Sequence, residues 1–287
     1  MLMSHLTAAT HDVTDQMRQA VRRASPFVEK FARVGYAAKG GIYLLVGVLA
    51  LMAALGRNGG ETSGSRGVMQ RLFDQPFGQI LLAALAAGLA CYAAWQFIRA
   101  IEDPEGAGSD FKGVMKRIGY FGSGVIHSAL VVFAINTLLG YARHADDDEG
   151  ARGWSATVMS YPAGRWLIAG IGIGIGIYGL KQIYNGFVAK LDRIDVSSLS
   201  PDTGKWICRA CQFGLAARGL VFAIIGTFLV LAAYHEKPSE ARGLGGALDS
   251  LREQAYGPWL LGIVALGVIA YGFYGLVRAR YRRITVS

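Results

Sequence analysis

The sequence predicts an all-α integral membrane protein. Six transmembrane helices pair as three parallel-repeat hairpins with pseudo-threefold symmetry, joined by short interfacial amphipathic helices. Three observations carry this. The chain is 53% hydrophobic and 17% charged, with a mean hydropathy of +0.34, whereas an ordinary soluble domain carries about 25% charge. Six apolar runs are long enough to cross a bilayer core, which takes about 20 residues of helix. One glycine motif opens every second run, and such self-similarity marks a duplicated unit.

Residues 1–34 hold no apolar segment of the signal-peptide kind, and the cytoplasmic arm is drawn at 1–24. Val13, Met17, Val21, Ala24, Val28 and Phe31 recur at helical spacing between charges, so this arm reads as amphipathic helix on the inner membrane surface. Ser25-Pro26 offers an N-cap and a proline at the first helical position, and Ser200-Pro201 stands in a comparable place. Repeat 1 covers 25–101, with spans near 35–55 and 79–99. Repeat 2 covers 109–187, with spans near 118–140 and 166–187. Repeat 3 covers 200–279, with spans near 213–234 and 259–277, and a basic tail follows at 280–287.

The first span of each hairpin opens with Gly-x3-[Lys/Ser/Arg]-Gly-x2-[Tyr/His/Phe]. The copies are Gly35/Lys39/Gly40/Tyr43, Gly119/Ser123/Gly124/His127 and Gly214/Arg218/Gly219/Phe222. The second span repeats Gly-x9-Gly-x3-Tyr as Gly78/Gly88/Tyr92, Gly164/Gly174/Tyr178 and Gly257/Gly267/Tyr271. Between the spans, Val68–Asp74, Trp154–Ser160 and Ala247–Gln254 read as interfacial helices on the outer surface. At 100° per residue, Gly35, Lys39 and Tyr43 fall within an arc of about 80°, as do their counterparts. Gly35, Gly119, Gly214, Gly88, Gly174 and Gly267 are therefore candidate helix-packing positions, since small residues let membrane helices approach closely. Tyr92, Tyr178 and Tyr271 read as helix bridges through their hydroxyls, or alternatively as a ring lining a pore.

Three tandem two-helix repeats with these motifs, over about residues 25–280, resemble the bacterial membrane proteins grouped as domain of unknown function 1206. Ser123 departs from the cation of the other copies, and Phe222 from their polar ring. The resemblance implies a bacterial inner-membrane location and brings no activity or site residue.

Lys and Arg concentrate in the N-terminal arm, the second and fourth connections and the tail, and thin out in the other connections. That alternation orients both termini to the cytoplasm. The net charge of +9 then reads as a rim meeting anionic headgroups, and nucleic acid is not an expected partner. Glycine-rich faces allow a membrane-protein partner or a homo-oligomer.

The spans as drawn contain no Asp or Glu, which weighs against carboxylate proton relays, cation sites and acid–base catalysis. Lys39 and Arg218 sit at equivalent positions. The expectation is that they snorkel to the headgroups; the alternative is an anion or headgroup pocket with Ser123 as third member. Lys181 reads as an anchor, and His127 as a hydrogen-bonded packing residue rather than a proton carrier. Ser123 with His127 is the sole nucleophile–base pair on one span, and it has no acidic orienter. Asp146-Asp147-Asp148-Glu149 reads as solvated loop. Cys91 reads as a packing residue, and Cys208/Cys211 as incidental small residues, because a zinc site takes about four ligands. No metal, cofactor or enzyme activity is expected. The expected role is a structural or interaction protein, with a conduit or carrier for an anion or lipid headgroup as the alternative.

Overall fold

The computed structural model describes residues 29–57, 60–104, 106, 108–141, 147–188 and 200–281. The arm at 1–24, Ser25-Pro26 and the tail beyond 281 lie outside the described residues. Six helices are long and apolar enough to cross a membrane: α1 (Glu29–Ala54), α3 (Gly78–Ile101), α4 (Phe111–Leu138), α6 (Gly164–Val188), α7 (Pro201–Tyr234) and α9 (Gly257–Tyr281). Three shorter helices link them in pairs: α2 (Ser65–Phe73), α5 (Asp147–Met159) and α8 (Leu244–Arg252). The chain is thus an all-α, multi-pass membrane protein.

α4 and α7 start well before the apolar runs near 118 and 213. Both starts are capped. The Asp110 side chain accepts from Gly113 N at 3.0 Å, and Ser200 Oγ accepts from Thr203 N at 3.4 Å, with Pro201 at the first helical position. Helices projecting into water keep their hydrogen bonds, so hydropathy alone underestimates their length.

Each short helix turns into the next span through one residue of left-handed backbone: Phe77, Ala163 and Tyr256, with φ of 62°, 62° and 61°. The following repeat glycine closes the turn. Gly78 N donates to Gln75 O at 2.7 Å, Gly164 N to Tyr161 O at 2.9 Å and Gly257 N to Gln254 O at 2.8 Å. A Cβ on Gly164 or Gly257 would stand 1.8 Å from a carbonyl of the preceding helix. These glycines are therefore fixed by the turn.

The two glycines of the opening motif make two different contacts. The second one packs between repeats: Gly40 against Gly272 of α9, Gly124 against the Phe97 ring of α3, and Gly219 against Gly179 of α6. The first packs within a hairpin: a Cβ on Gly35 would lie 2.6 Å from the Tyr92 backbone, and one on Gly214 2.4 Å from Tyr271 N. Gly88 and Gly267 are the matching notches, filled by the Cβ atoms of Ala38 and Ala217. The helices thus form a ring in the order α1, α3, α4, α6, α7, α9, with α9 closing on α1.

The ring is broken in one place. Gly119 and Gly174, expected as packing positions, meet nothing within 4 Å among the described residues. The residue that should fill the Gly174 notch, counted from Ala38 and Ala217, is Gly122, which supplies no Cβ. α4 is committed to α3, and α6 to α7 through Gly172, Gly179 and Gly186. Among the described residues these glycines make no contact that joins α4 to α6, and Tyr178 is 47% exposed beside the break.

Of the acidic run, Asp146 lies outside the described residues and the rest is helix, not loop. Asp147, Asp148 and Glu149 form the first turn of α5, where the helix dipole favours negative charge. Asp148 Oδ1 accepts from Gly243 N (2.7 Å) and Gly246 N (3.1 Å), capping α8, and Asp147 reaches Arg66 N at the start of α2. The three short helices meet through these carboxylates over one end of the bundle, hereafter the cap end.

Candidate functional site

Lys39 on α1 and Arg218 on α7 are both 7% exposed. The expected snorkelling does not occur. Their positions lie about 22–24 Å from the cap end of their helices at 1.5 Å per residue, and their side chains turn inward. Lys39 Nζ donates to Tyr92 Oη at 2.7 Å. Arg218 Nε reaches Tyr43 Oη and Nη1 reaches Tyr178 Oη, both at 3.5 Å. The two cations converge on one ring, with Lys39 Nζ 5.9 Å and the Arg218 guanidinium carbon 4.8 Å from the Tyr271 centroid. Arg218 also lies 4.0 Å from the Phe222 centroid. Aromatic faces suit these cations because the ring quadrupole attracts positive charge most strongly where water is excluded. Phe222, the departure in repeat 3, is thus the platform for the repeat's own arginine.

Ser123, third member of this register, lies within reach of the Tyr92 hydroxyl. His127 is 8% exposed, and its ring packs 4.5 Å from that of Tyr92. Its Nδ1 bonds the Ser123 carbonyl at 2.7 Å, and a carbonyl only accepts, so Nδ1 carries the proton. The ring therefore engages the Ser123 backbone rather than its hydroxyl, and no nucleophile–base pair is formed.

Several donors at this level remain unused. Lys39 spends one of three ammonium hydrogens. Arg218 makes two long contacts and none through Nη2, and the Tyr271 hydroxyl makes no hydrogen bond among the described residues. Among the described residues, no Asp or Glu is hydrogen-bonded or ion-paired to either cation.

A second tier lies toward the other end of the bundle. Arg278 of α9 donates to Tyr36 Oη at 2.9 Å and stacks 4.1 Å from that ring; Arg99 of α3 stacks 3.6 Å from Tyr120. These are equivalent pairs across two repeat junctions. The charge distribution counts Arg99 with the second connection and Arg278 with the tail. Their shared offset of 21 residues from Gly78 and Gly257, opposite a tyrosine that follows Gly35 or Gly119, was the available signal. Toward the cap end the axis is apolar, and Val46, Ala50, Met69, Ala134 and Leu248 are fully buried there.

Other candidates stand apart. Lys181 is exposed, Cys91, Cys208 and Cys211 are free thiols, and no group of three metal-ligating side chains occurs among the described residues. A pocket of about 550 Å³ lined by Tyr161, Arg165, Trp166 and Glu236 sits at the cap end of α6 and holds an Arg165–Glu236 ion pair. It lies about 20 Å along the helix from Tyr178.

Fold and site together define a helical multi-pass membrane protein built of three two-helix repeats around a buried cation–tyrosine tier. The family model described as Domain of Unknown Function (DUF1206) matches residues 34–103, 118–189 and 213–282, one hairpin each. The chain belongs to this family. It is 34% identical over 273 residues to a Bacillus subtilis (strain 168) protein described as uncharacterized protein YxxB, across 94% of this chain and 96% of that one. No solved structure matches.

Proposed function

We propose that this protein binds an anionic group inside the membrane, on the tier formed by Lys39, Arg218 and Tyr271, and that it does so without catalysing a reaction. The observation that carries the reading is two buried cations with spare donors and no carboxylate partner among the described residues. Burying an uncompensated charge costs several kcal/mol, even after relaxation, and intramembrane charges mark binding sites by default. A bound anion offsets that cost. The apolar packing toward the cap end favours a binding protein or carrier over a continuous conduit. The Lys/Arg distribution supports an inner-membrane orientation with both termini cytoplasmic. A purely structural role, favoured by the glycine contacts between repeats, is the second reading.

Thermal melting in uncharged detergent tests this. The wild-type Tm should rise with added inorganic phosphate or short-chain phosphatidic acid, because a ligand of the native state stabilises it by mass action. The Lys39→Met/Arg218→Met double variant should not respond. A wild type indifferent to both anions returns the protein to the structural reading.

A further inference from the structure

We infer that the break between α4 and α6 is a lateral doorway through which the Lys39–Arg218 tier receives the phosphate-bearing headgroup of an anionic phospholipid. This rests on the anion-binding reading above and names its ligand class and its route.

The doorway follows from repeat 2 lacking what seals the others. In hairpins 1 and 3 the first-span glycine takes the tyrosine backbone of the second span, and an alanine methyl fills the second-span notch. Hairpin 2 has Gly119, Gly122 and Gly174 at these positions, and a Cβ on any of them would meet no described atom of another element within 4 Å. The gap is a groove walled by two transmembrane helices, so what lies beside it in a membrane is lipid.

Its inner end is polar. Tyr178 sits one turn beyond Gly174 on the same side of α6, is half exposed, and its hydroxyl contacts Arg218 Nη1 at 3.5 Å and Gln182 Nε2 at 2.9 Å. Ser123 sits one turn beyond Gly119 on α4 and reaches Tyr92, the partner of Lys39. Each wall therefore leads in one step to one of the two cations. Arg218 is 7% exposed, its Nη1 faces the Tyr178 hydroxyl, and its Nη2 makes no hydrogen bond among the described residues. A phosphodiester fits such donors, because guanidinium and ammonium groups bind phosphate oxygens through charge-assisted hydrogen bonds. A free anion would have to cross protein or bilayer to reach the tier, whereas a phospholipid already carries its phosphate in the membrane and can leave its acyl chains in the groove.

Purified protein would be equilibrated with vesicles of phosphatidylcholine and phosphatidylglycerol, and retained lipid counted by native mass spectrometry. Inorganic phosphate binding would be measured in parallel by calorimetry. The wild type should retain phosphatidylglycerol in preference to phosphatidylcholine. Gly174→Leu and Gly122→Leu, which put a side chain into empty space from opposite walls, should cut that retention by about tenfold, or roughly 1.4 kcal/mol. Their phosphate binding, elution volume and helical circular dichroism should match the wild type. Retention unchanged in both leucine variants overturns the doorway and leaves the anion site standing. Phosphate binding without preference for phosphatidylglycerol overturns the lipid assignment alone. If the wild type binds neither probe, the anion reading itself falls, and the doorway with it.

Discussion

Lys39 on α1 donates a 2.7 Å hydrogen bond to the hydroxyl of Tyr92 on α3, and its ammonium stands 4.5 Å from the centre of the same ring. One tyrosine thus supplies both an acceptor and a π face to a cation that has no acid partner among the described residues. Tyr92→Phe keeps the ring and removes the acceptor. It should lower stability by about 1.5–3 kcal/mol, the worth of a hydrogen bond to a charged group. Lys39→Met should erase most of that difference in a double-mutant cycle, measured by denaturation in uncharged detergent.

The glycines of one motif should respond oppositely to the same change. Gly35→Ala and Gly214→Ala place a methyl within 2.6 Å of backbone on α3 and α9, and such overpacking costs about 1–3 kcal/mol. Gly119→Ala meets no described atom and replaces a flexible residue in a helix, which should stabilise by about 0.5–1 kcal/mol. The three melting temperatures, read side by side, check the broken symmetry directly.

That asymmetry shows where sequence reading stops. The repeat, the six spans and the three short helices follow from periodicity and hydropathy, because burial in lipid leaves a long apolar record. The register of Lys39, Ser123 and Arg218 was equally legible. Where those side chains point was not: an ammonium four residues past a glycine can reach headgroups or turn inward, and the choice falls to Tyr92 and Tyr271, which lie far away in sequence. The open second hairpin was hidden for a similar reason. Gly119 and Gly174 match their counterparts, and only Gly122, opposite and unremarkable alone, withholds the methyl that would seal the pair. Arg33 and Arg117 are a further case. They cap α9 and α3 by donating to Ala279 O and Ala100 O at 2.7 and 2.8 Å, a cross-repeat contact that their place among other cations concealed.

Asp148 is expected to behave as a structural cap. Its carboxylate serves two backbone N–H groups at the start of α8. Asp148→Ala should cost about 0.5–2 kcal/mol, as loss of an N-cap does, while anion binding at the Lys39–Arg218 tier stays unchanged. Combined melting and phosphate titration would separate the two effects.

Replacing both buried cations should make the unliganded protein more robust. Lys39→Met/Arg218→Met removes charges that no described carboxylate neutralises, and apolar replacement of buried charge is often stabilising by about 1–4 kcal/mol. In anion-free uncharged detergent the double variant should melt above the wild type; in saturating anionic lipid the order should reverse.

The most direct measurement is an experimental structure in nanodiscs of anionic phospholipid, at a resolution that shows ordered headgroups. Density touching Lys39 Nζ and Arg218 Nη2, continuous with a lipid tail between α4 and α6, is the expected result. A closed centre in which both cations are satisfied by tyrosines alone, with α4 packed against α6, would contradict it.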